Sequence, residues 1–446
     1  MNDDKNYDSY NILKILEKKP KTNQRDLAKI SNLSLGKIHY ILKELKKKGI
    51  IKVKNFKKNQ NKINYIYLIT PKGLKHKTKL AYFFFKKISR EYDELKKDYT
   101  DVLSFAFFCR ERNLIALEKN YFNLNIRKGL GISFHITPAN IPTNFAYSLI
   151  FGLLSGNCNI VKVPSRNFPQ IDIICREINR TLSRFPKLKD HIKIIRYSRN
   201  DEFTKNISLI SDARLIWGGN KTIEEAKSFK TKPNNRDLYF ADKNSFCVIN
   251  FDEYKKLKIE QIKLLALNFY NDTYLVDQNA CSSPHVIFWL SKKKIENKIK
   301  EKFWIHLNNL IEKKYNFDFS ASFFKYDRSI DDYLSKKNIK IINNSNIYRV
   351  QFSKDKIKNL DTMKAKWGYF YETNINDIEE LFRYSNDSTQ TLSYFGFKQE
   401  YLKELLLKKT YKGIDRAVKI GQALNISLFW DGYDIISNLT KVKDVR

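Results

Sequence analysis

The chain has 446 residues, of which 42% are hydrophobic and 14% aromatic, so it can form two or three domains with buried cores and is too apolar to be disordered. Five cysteines without paired spacing and six histidines give no indication of a disulfide framework or a structural zinc site. No signal peptide pattern is evident, and the longest apolar run, 145–154, is too short to span a bilayer. We therefore expect a cytoplasmic protein with no membrane span.

The positive charge is concentrated in the first hundred residues. The formal net charge of the chain is +35. Residues 1–100 hold 26 Lys and Arg residues against 10 Asp and Glu residues, a net charge of +16, which leaves +19 for the other 346 residues. A phosphate-binding surface is therefore expected in the N-terminal hundred residues.

The N-terminal pattern predicts a winged helix-turn-helix domain. Apolar spacing predicts helices at 8–18, 24–30 and 35–48, the last one capped by Ser34 and ended by Gly49. Two alternating runs then predict a basic hairpin, or wing. The residues expected to meet phosphates and groove edges are Ser34, Lys37, His39, Tyr40, Lys43, Lys54, Lys57, Lys58 and Lys62. A winged helix used only for protein contacts is the alternative.

This region resembles a winged-helix regulator of the MarR type, of the kind associated with exopolysaccharide clusters, in QRDLAKISNLSLGKIHYILKELKKKGIIKVKNF and YIYLITPKG. The resemblance covers about residues 5–98 and implies DNA as a partner. A long helix over 71–98 is expected to complete the module. Because such helices commonly pair in dimers, we expect a homo-oligomer.

From Gly129 onwards strands and helices alternate. Strands are expected at 131–137, 159–163, 191–197 and 213–217, with helices between them. This repetition predicts a largely parallel sheet that binds ligands at the carboxyl ends of its strands. No GxGxxG motif is present, so the pattern alone leaves a sheet without a dinucleotide site open.

Cys281 is the candidate nucleophile. It lies in DQNACSSPH, directly before the apolar run VIFWL, which predicts a buried strand. A loop at the edge of a rigid sheet is a usual position for a reactive group, and a thiolate attacks the carbonyl carbon of a thioester well. A cysteine that merely packs among small residues is the alternative.

Four segments together resemble the acyl-CoA reductase family, whose best-known member is the long-chain fatty acid reductase of bacterial luminescence operons, within the aldehyde dehydrogenase superfamily. They are HITPANIPTNFAYSLIFGLLSGNCNIVKVPSRN, LIWGGNKTIEEA, DQNACSSPHVIFW and GIDRAVKIGQALNISLFWDGYD. The resemblance runs from about residue 104 to the C-terminus and implies an aldehyde dehydrogenase-like α/β fold, a Rossmann-type cofactor domain plus a catalytic domain. With the winged helix at 1–98, we expect an NADPH-binding domain at 104–244 plus 395–446 and a catalytic domain at 245–394.

The resemblance also implies roles for single residues. Cys281 matches the nucleophile that takes the acyl group, and Asn140 matches the amide that donates to the oxyanion. The residues expected at the cofactor are Thr137, Pro138, Lys162, Ser165, Gly218 and Gly219, with Arg166 a weaker candidate. The charge of Lys162 suits the 2′-phosphate of NADPH, and NADH is the alternative cofactor. Each role has a structural alternative: a turn for Asn140, a solvated surface charge for Lys162, and a strand end for the glycines.

The absence of a Glu before the cysteine indicates reduction rather than hydrolysis of the acyl group. Hydrolytic aldehyde dehydrogenases carry a Glu base before the cysteine, whereas the corresponding segment here, 234–249, contains no Glu. We therefore expect reduction of an acyl-CoA or acyl-protein thioester to the aldehyde. The alternative is a transcriptional regulator whose reductase-like part only senses NADPH or an acyl thioester. Asp237, Lys243 and His285 are expected to make structural hydrogen bonds rather than to act as acids or bases.

Overall fold

A computed structural model describes residues 2–20, 22–56, 64–70, 99–120, 127–198, 201–317, 319–336, 338–344, 346–352, 360–408 and 412–443. The chain divides into two compact units, Met1–Leu103 and Ser104–Arg446. The expected wing turn with Lys57, Lys58 and Lys62 and the expected helix over 71–98 lie outside the described residues. In the described ranges, no helix is long and apolar enough to cross a membrane.

The first unit has the predicted winged-helix elements. Its described elements are the helices Asn2–Lys18, Gln24–Ser31 and Leu35–Lys47 and the strands β1 (Ile51–Phe56) and β2 (Asn64–Ile69), which pair antiparallel. Buried side chains from each of these helices and both strands form its core, including Leu16, Leu27, Ile38, Leu42, Ile51 and Tyr67. The Ser34 hydroxyl accepts the Lys37 backbone N–H and so caps the third helix, as predicted.

The second unit alternates strands and helices along most of its length. Its strands are β3 (Arg127–Gly129), β4 (Ile132–Ile136), β5 (Cys158–Lys162), β6 (Ile192–Ile195), β7 (Ala213–Trp217), β8 (Arg236–Phe240), β9 (Asn244–Asn250), β10 (Val286–Leu290), β11 (Ile339–Asn344), β12 (Ile347–Phe352), β13 (Tyr369–Ile375), β14 (Thr389–Phe395), β15 (Arg416–Lys419), β16 (Phe429–Trp430), β17 (Tyr433–Asp434) and β18 (Thr440–Val442).

The remaining helices vary widely in length. The α-helices are Thr100–Phe108, Glu111–Asn120, Asn144–Leu154, Pro169–Arg184, Asp201–Ile210, Asn220–Ser228, Phe251–Tyr254, Ile259–Thr273, Asn297–Lys314, Phe319–Ser335, Gln399–Leu406 and Ile435–Asn438. Short 3₁₀ helices are Pro186–His191, Tyr274–Val276, Leu360–Met363 and Ile378–Arg383.

A five-stranded parallel sheet has the order β6-β5-β4-β7-β8. Four of its strands were predicted from apolar runs, and β7 is buried along its whole length because helices cover a parallel sheet on both faces. The chain moves outwards from β4 through β5 to β6 and then returns to β7 on the other side. The carboxyl ends of β4, β5 and β7, called the cofactor edge below, therefore meet where ligands bind in such sheets.

A seven-stranded sheet has the order β11-β12-β13-β10-β9-β14-β15, with β11 as its antiparallel strand. Strand β10 is the strand that was predicted after Cys281. Buried apolar clusters cover both faces of this sheet, so the loops at its edge are attached to a rigid support.

The C-terminal segment differs from the expected domain boundary. We expected the chain to return to the cofactor domain at about residue 395, but β15 pairs in parallel with β14 and so remains in the seven-stranded sheet until Lys419. The reason is that β14 has backbone groups that need a neighbouring strand. Only the later part returns: β18 pairs with β3, and Trp430 and Ile435 join Phe240 in the core beside β8. The FWDGYD segment, residues 429–434, therefore packs beside the five-stranded sheet.

Candidate active site

Cys281 lies on a short loop, residues 277–285, called the cysteine loop below. Asp277 and Gln278 both have positive φ angles, 53° and 60°, which turn the chain sharply after the 3₁₀ helix Tyr274–Val276. Two hydroxyls then fix the loop. Ser245 donates to the carbonyl of Cys281 at 2.6 Å, and Ser283 donates to the carbonyl of Asp272 at 2.7 Å. The partly exposed thiol of Cys281 is therefore held in a defined position.

The buried amide of Gln278 attaches the cysteine loop to residues 364–368, called the clamp segment below. Its Nε2 donates to the carbonyl of Pro284 at 3.1 Å, and its Oε1 accepts the backbone N–H of Gly368 at 3.0 Å. The clamp segment contacts the loop a second time, because the Ala365 N–H donates to Nδ1 of His285 at 3.3 Å. Lys364 is thereby kept near Cys281.

Gly368 is required by this arrangement, and its replacement gives a first prediction. It has a φ of 83°, and an added Cβ would overlap the hydroxyl of the buried Tyr274. We expect Gly368→Ala to lower the free energy of unfolding by about 2 kcal/mol or more. Denaturant unfolding measures this change. Gly36→Ala is the matched control: Gly36 lies in a helix with open space around it, so its replacement should not destabilise the protein.

Charged groups surround the Cys281 thiol. Its Sγ lies 4.0 Å from Oδ1 of Asp242, and the same Oδ1 lies 2.9 Å from Nζ of Lys364. Burial raises the pKa of Cys281, and the carboxylates of Asp242 and Asp431 also raise it, whereas a hydrogen bond from the Lys243 backbone N–H and the charge of Lys364 lower it. The net pKa is raised, so the resting side chain is a thiol that needs a proton acceptor before it can attack.

Asn140 reaches the cysteine loop from the cofactor edge. Its Nδ2 donates to the carbonyl of Asn279, two residues before Cys281, at 3.0 Å. Asn140 and Asn279 are 139 positions apart in sequence, so the fold brings the predicted oxyanion donor to the loop that carries the predicted nucleophile. The amide carries a second N–H, which can donate a further hydrogen bond.

The three acid or base candidates that we set aside make structural contacts. Asp237 receives hydrogen bonds from Arg214 at 2.8 and 2.5 Å. The Lys243 ammonium pairs with Asp415 at 2.5 Å. Burial lowers the pKa of His285 to about 3, so its ring is neutral near pH 7 and accepts the clamp N–H described above. These contacts agree with the roles expected from the sequence.

Sequence reasoning missed the two charged neighbours of Cys281. The expectation for residues 234–249 concerned Glu alone, whereas Asp242 lies in this segment, in the connection between β8 and β9. Lys364 is 83 positions after Cys281, and no sequence pattern links the two. Because a carboxylate does lie beside the cysteine, the missing Glu does not by itself exclude activation of water.

Asp431 is a third missed residue, although its turn has a sequence signal. Asp431 and Gly432 join β16 to β17 with φ angles of 50° and 78°, and an Asp-Gly pair is typical of such tight hairpins. Gln390 donates to Oδ1 of Asp431 at 2.5 Å. Burial raises the pKa of Asp431 to about 6, and Lys243 opposes this rise. The hairpin thus brings a carboxylate of unusual pKa into the surroundings of Cys281.

The predicted cofactor residues lie at the cofactor edge, but two of them make contacts within the protein. The Thr137 hydroxyl donates to the carbonyl of Lys162 at 2.7 Å, and the Gly218 N–H donates to the carbonyl of Phe240 at 3.1 Å. Pro138 is partly exposed and Ser165 is exposed. Thr137 and Gly218 therefore join neighbouring strands and use their donors in doing so.

Lys162 and Gly219, unlike Thr137 and Gly218, have groups that remain accessible to a dinucleotide. Within the described part of the chain Lys162 makes no ion pair, and its Nζ lies 4.9 Å from the centre of the Tyr197 ring. Gly219 precedes the helix Asn220–Ser228, and an added Cβ would meet nothing within 4 Å. A cation and an accessible helix N-terminus thus lie on opposite sides of β4, an arrangement that suits the phosphates of a dinucleotide.

The winged helix presents part of the predicted DNA surface. Tyr40 is 50% exposed, and Lys43 is exposed on the same side of the helix Leu35–Lys47. Lys37 pairs with Asp8 at 2.6 Å, and Nδ1 of the exposed His39 lies 3.4 Å from Oε1 of Gln24, so these two side chains also contact neighbouring helices. The Ser34 hydroxyl is used in helix capping.

Comparisons with known proteins place the chain by family and by fold. The family model described as acyl-CoA reductase (LuxC) matches residues 116–442, and the model described as winged helix-turn-helix DNA-binding matches residues 9–52. No curated protein matches the chain.

Two solved structures illustrate the fold similarity. Aldehyde dehydrogenase 21 from Physcomitrella patens, in complex with the reaction product succinate, aligns with a TM-score of 0.51 and 12% identity over 71% of this chain and 69% of its own. AldH of Staphylococcus aureus, in a substrate-bound state, aligns with a TM-score of 0.51 and 14% identity over 78% of this chain and 81% of its own. The predicted aldehyde dehydrogenase-like α/β fold behind a winged helix-turn-helix domain is confirmed.

Proposed function

Because the chain belongs to the acyl-CoA reductase (LuxC) family, we propose that it converts an acyl-CoA, or an acyl-protein thioester, to the aldehyde with NADPH and with Cys281 as the nucleophile. The observation that carries this proposal is the hydrogen bond between the Asn140 amide and the cysteine loop. This hydrogen bond keeps an oxyanion donor beside the loop that carries the nucleophile, and acyl transfer requires both groups near the same carbonyl. A pure sensor needs neither group, so their pairing favours turnover.

Each of four residues has a separate role in the proposed acyl transfer. Cys281 attacks the thioester carbonyl and becomes acylated. The remaining N–H of Asn140 stabilises the oxyanion as it forms. When bound, the reduced nicotinamide supplies the hydride that converts the acyl group to the aldehyde. Ser245 and Gln278 keep the cysteine loop in place while the acyl group is attached.

Lys162 gives a second prediction, because its ammonium suits the 2′-phosphate that distinguishes NADPH from NADH. We expect Lys162→Gln to raise the Kd of NADPH about 10- to 100-fold, the range that a charge-assisted hydrogen bond supplies, and to change the Kd of NADH much less. Titration of each cofactor by fluorescence or calorimetry measures both constants. Lys263→Gln, which removes an exposed lysine that pairs with Glu260 and has no role at the cofactor edge, is the control. Equal losses for the two cofactors would contradict 2′-phosphate recognition by Lys162.

The winged helix gives a third prediction, which concerns DNA. Lys43→Ala is expected to weaken binding to DNA of any sequence and to reduce the slope of log K against log salt by about 1, since one phosphate contact is lost. Fluorescence anisotropy over a salt series measures the slope. Lys263→Ala, a change on the second unit at a lysine paired with Glu260, is the control and should leave the slope unchanged. We also propose that the chain forms a homo-oligomer.

The function is tested by NADPH oxidation with a series of acyl-CoA chain lengths and with an acylated carrier protein. Aldehyde formation that requires NADPH supports the reductase. Ligand-dependent DNA binding without turnover on any donor would instead support a regulator that senses NADPH or an acyl thioester.

A further inference from the structure

We propose that Asp242 is a catalytic residue that carries the proton of Cys281 to the departing thiolate of CoA, and that Lys364 is the positioning residue that holds Asp242 for this task. The inference rests on the proposed function, because it assigns a role within acyl transfer. It concerns a carboxylate that is not the Glu base of hydrolytic aldehyde dehydrogenases.

One carboxylate oxygen of Asp242 contacts both the thiol of Cys281 and the ammonium of Lys364. Oδ1 of Asp242 lies 4.0 Å from the Sγ of Cys281, at the limit of hydrogen bonding to sulfur, and 2.9 Å from Nζ of Lys364. Lys364 belongs to the clamp segment, which His285 and Gln278 hold against the cysteine loop. The ammonium of Lys364 therefore holds the same carboxylate oxygen that the thiol of Cys281 contacts.

The other groups around Cys281 are less suited to accept its proton. The Lys243 ammonium is paired with Asp415 and carries no lone pair, and its backbone N–H is only a donor. Nδ1 of His285 already accepts the Ala365 N–H. Asp431 acts on the thiol through its charge, and its Oδ1 accepts from Gln390. Asp242 is thus the carboxylate with a direct contact to the sulfur.

The exposure of Asp242 suits a proton carrier. Its side chain is 58% exposed and that of Lys364 is 29% exposed, so the carboxylate faces the solvent from which a CoA thioester must arrive. A carboxylate at this boundary can take a proton from the partly buried thiol and release it to a group that enters from outside.

The acyl-transfer step balances without any further reactant. The Sγ–H proton moves to Asp242, a bond forms between Sγ and the acyl carbon, and the bond from that carbon to the CoA sulfur breaks. Asp242 then gives the proton to the departing CoA thiolate. The products are the acylated Cys281 and free CoA thiol, with no net uptake of protons and no change in oxidation state.

The experiment compares the full-length wild type with Asp242→Asn, Asp242→Glu and Lys364→Gln. One measurement is the rate at which acyl-CoA, without NADPH, acylates Cys281, followed by quench-flow and mass spectrometry. The other is the rate of iodoacetamide alkylation of Cys281 against pH, which gives the pKa of the thiol and requires no substrate. Lys366→Gln changes a lysine of the same clamp segment and serves as the control.

For Asp242→Asn we expect the alkylation rate and the acylation rate of Cys281 to change in opposite directions. Loss of the carboxylate lowers the pKa of Cys281 and speeds alkylation near pH 7, yet acylation by acyl-CoA slows about 100-fold because the proton carrier is lost. Asp242→Glu keeps acylation within about tenfold of the wild type. Lys364→Gln raises the thiol pKa, and Lys366→Gln matches the wild type in both measurements.

Two results would overturn the inference. One is acylation of Asp242→Asn at the wild-type rate, which would make Asp242 only an electrostatic neighbour. The other is an identical thiol pKa in the wild type, Asp242→Asn and Lys364→Gln. This result would show that the Asp242–Lys364 pair does not act on the thiol, and it can be obtained even if no acyl-CoA acylates the protein. A wild type that alkylates as expected but is never acylated would instead reject the proposed function, so the two failures are distinguishable.

Discussion

Replacing Cys281 with alanine is expected to abolish acyl-CoA-dependent NADPH oxidation, with a loss of at least about 10⁴-fold, as for other enzymes that lose their nucleophile. The reason is chemical: without the sulfur no acyl-enzyme forms, and the Asn140 amide has no tetrahedral oxyanion to stabilise. The variant should still fold and bind NADPH, since the cofactor edge lies on the other sheet. Steady-state kinetics and NADPH titration measure both properties.

Cys175→Ala is the matched control for this prediction. Cys175 is a half-buried cysteine on the helix Pro169–Arg184, away from the cysteine loop, and its loss should leave turnover unchanged. Turnover that survives in Cys281→Ala would exclude the acyl-enzyme route. If that variant and the wild type both lack turnover but shift DNA affinity when NADPH is added, the chain acts as a sensor.

Asn140→Ala is expected to lower kcat about 10²- to 10³-fold, the effect of removing one oxyanion donor. The KM for acyl-CoA should change little, because the amide acts on the oxyanion rather than on the ground-state carbonyl. The alkylation rate of Cys281 is the internal control. If alkylation also changes, the loss of the Asn279 hydrogen bond has displaced the loop, and the fall in kcat would not report on an oxyanion donor.

Much of the fold could be predicted because its elements are encoded locally. The strands β4, β5, β7 and β10 contain short apolar runs bounded by polar or small residues, and Ser34 marks a helix start by itself. The return of the chain at its C-terminus was placed too early, because the pairing of β15 with β14 depends on which neighbour an edge strand finds. Such pairings are long-range and leave no signal in the segment itself.

Some residues of the candidate site could also be predicted from the sequence, and others could not. Cys281 and Asn140 were found through segments that resemble a family, and the fold places them at one loop. Asp242 and Lys364 were missed, since their only link to the thiol is a set of distances that the fold creates. The role expected for Thr137 stays a prediction: it lies at the end of a strand, and the structure adds that its hydroxyl donates to the neighbouring strand.

The most direct test of the account is the mass of the Cys281 peptide after the protein is mixed with acyl-CoA in the absence of NADPH. We predict that this peptide gains the mass of the acyl group, and that adding NADPH removes the acyl group and releases an equal amount of aldehyde. A protein that oxidises NADPH while Cys281 never carries an acyl group, or whose acyl group leaves only as the free acid, would contradict reduction through a Cys281 acyl-enzyme.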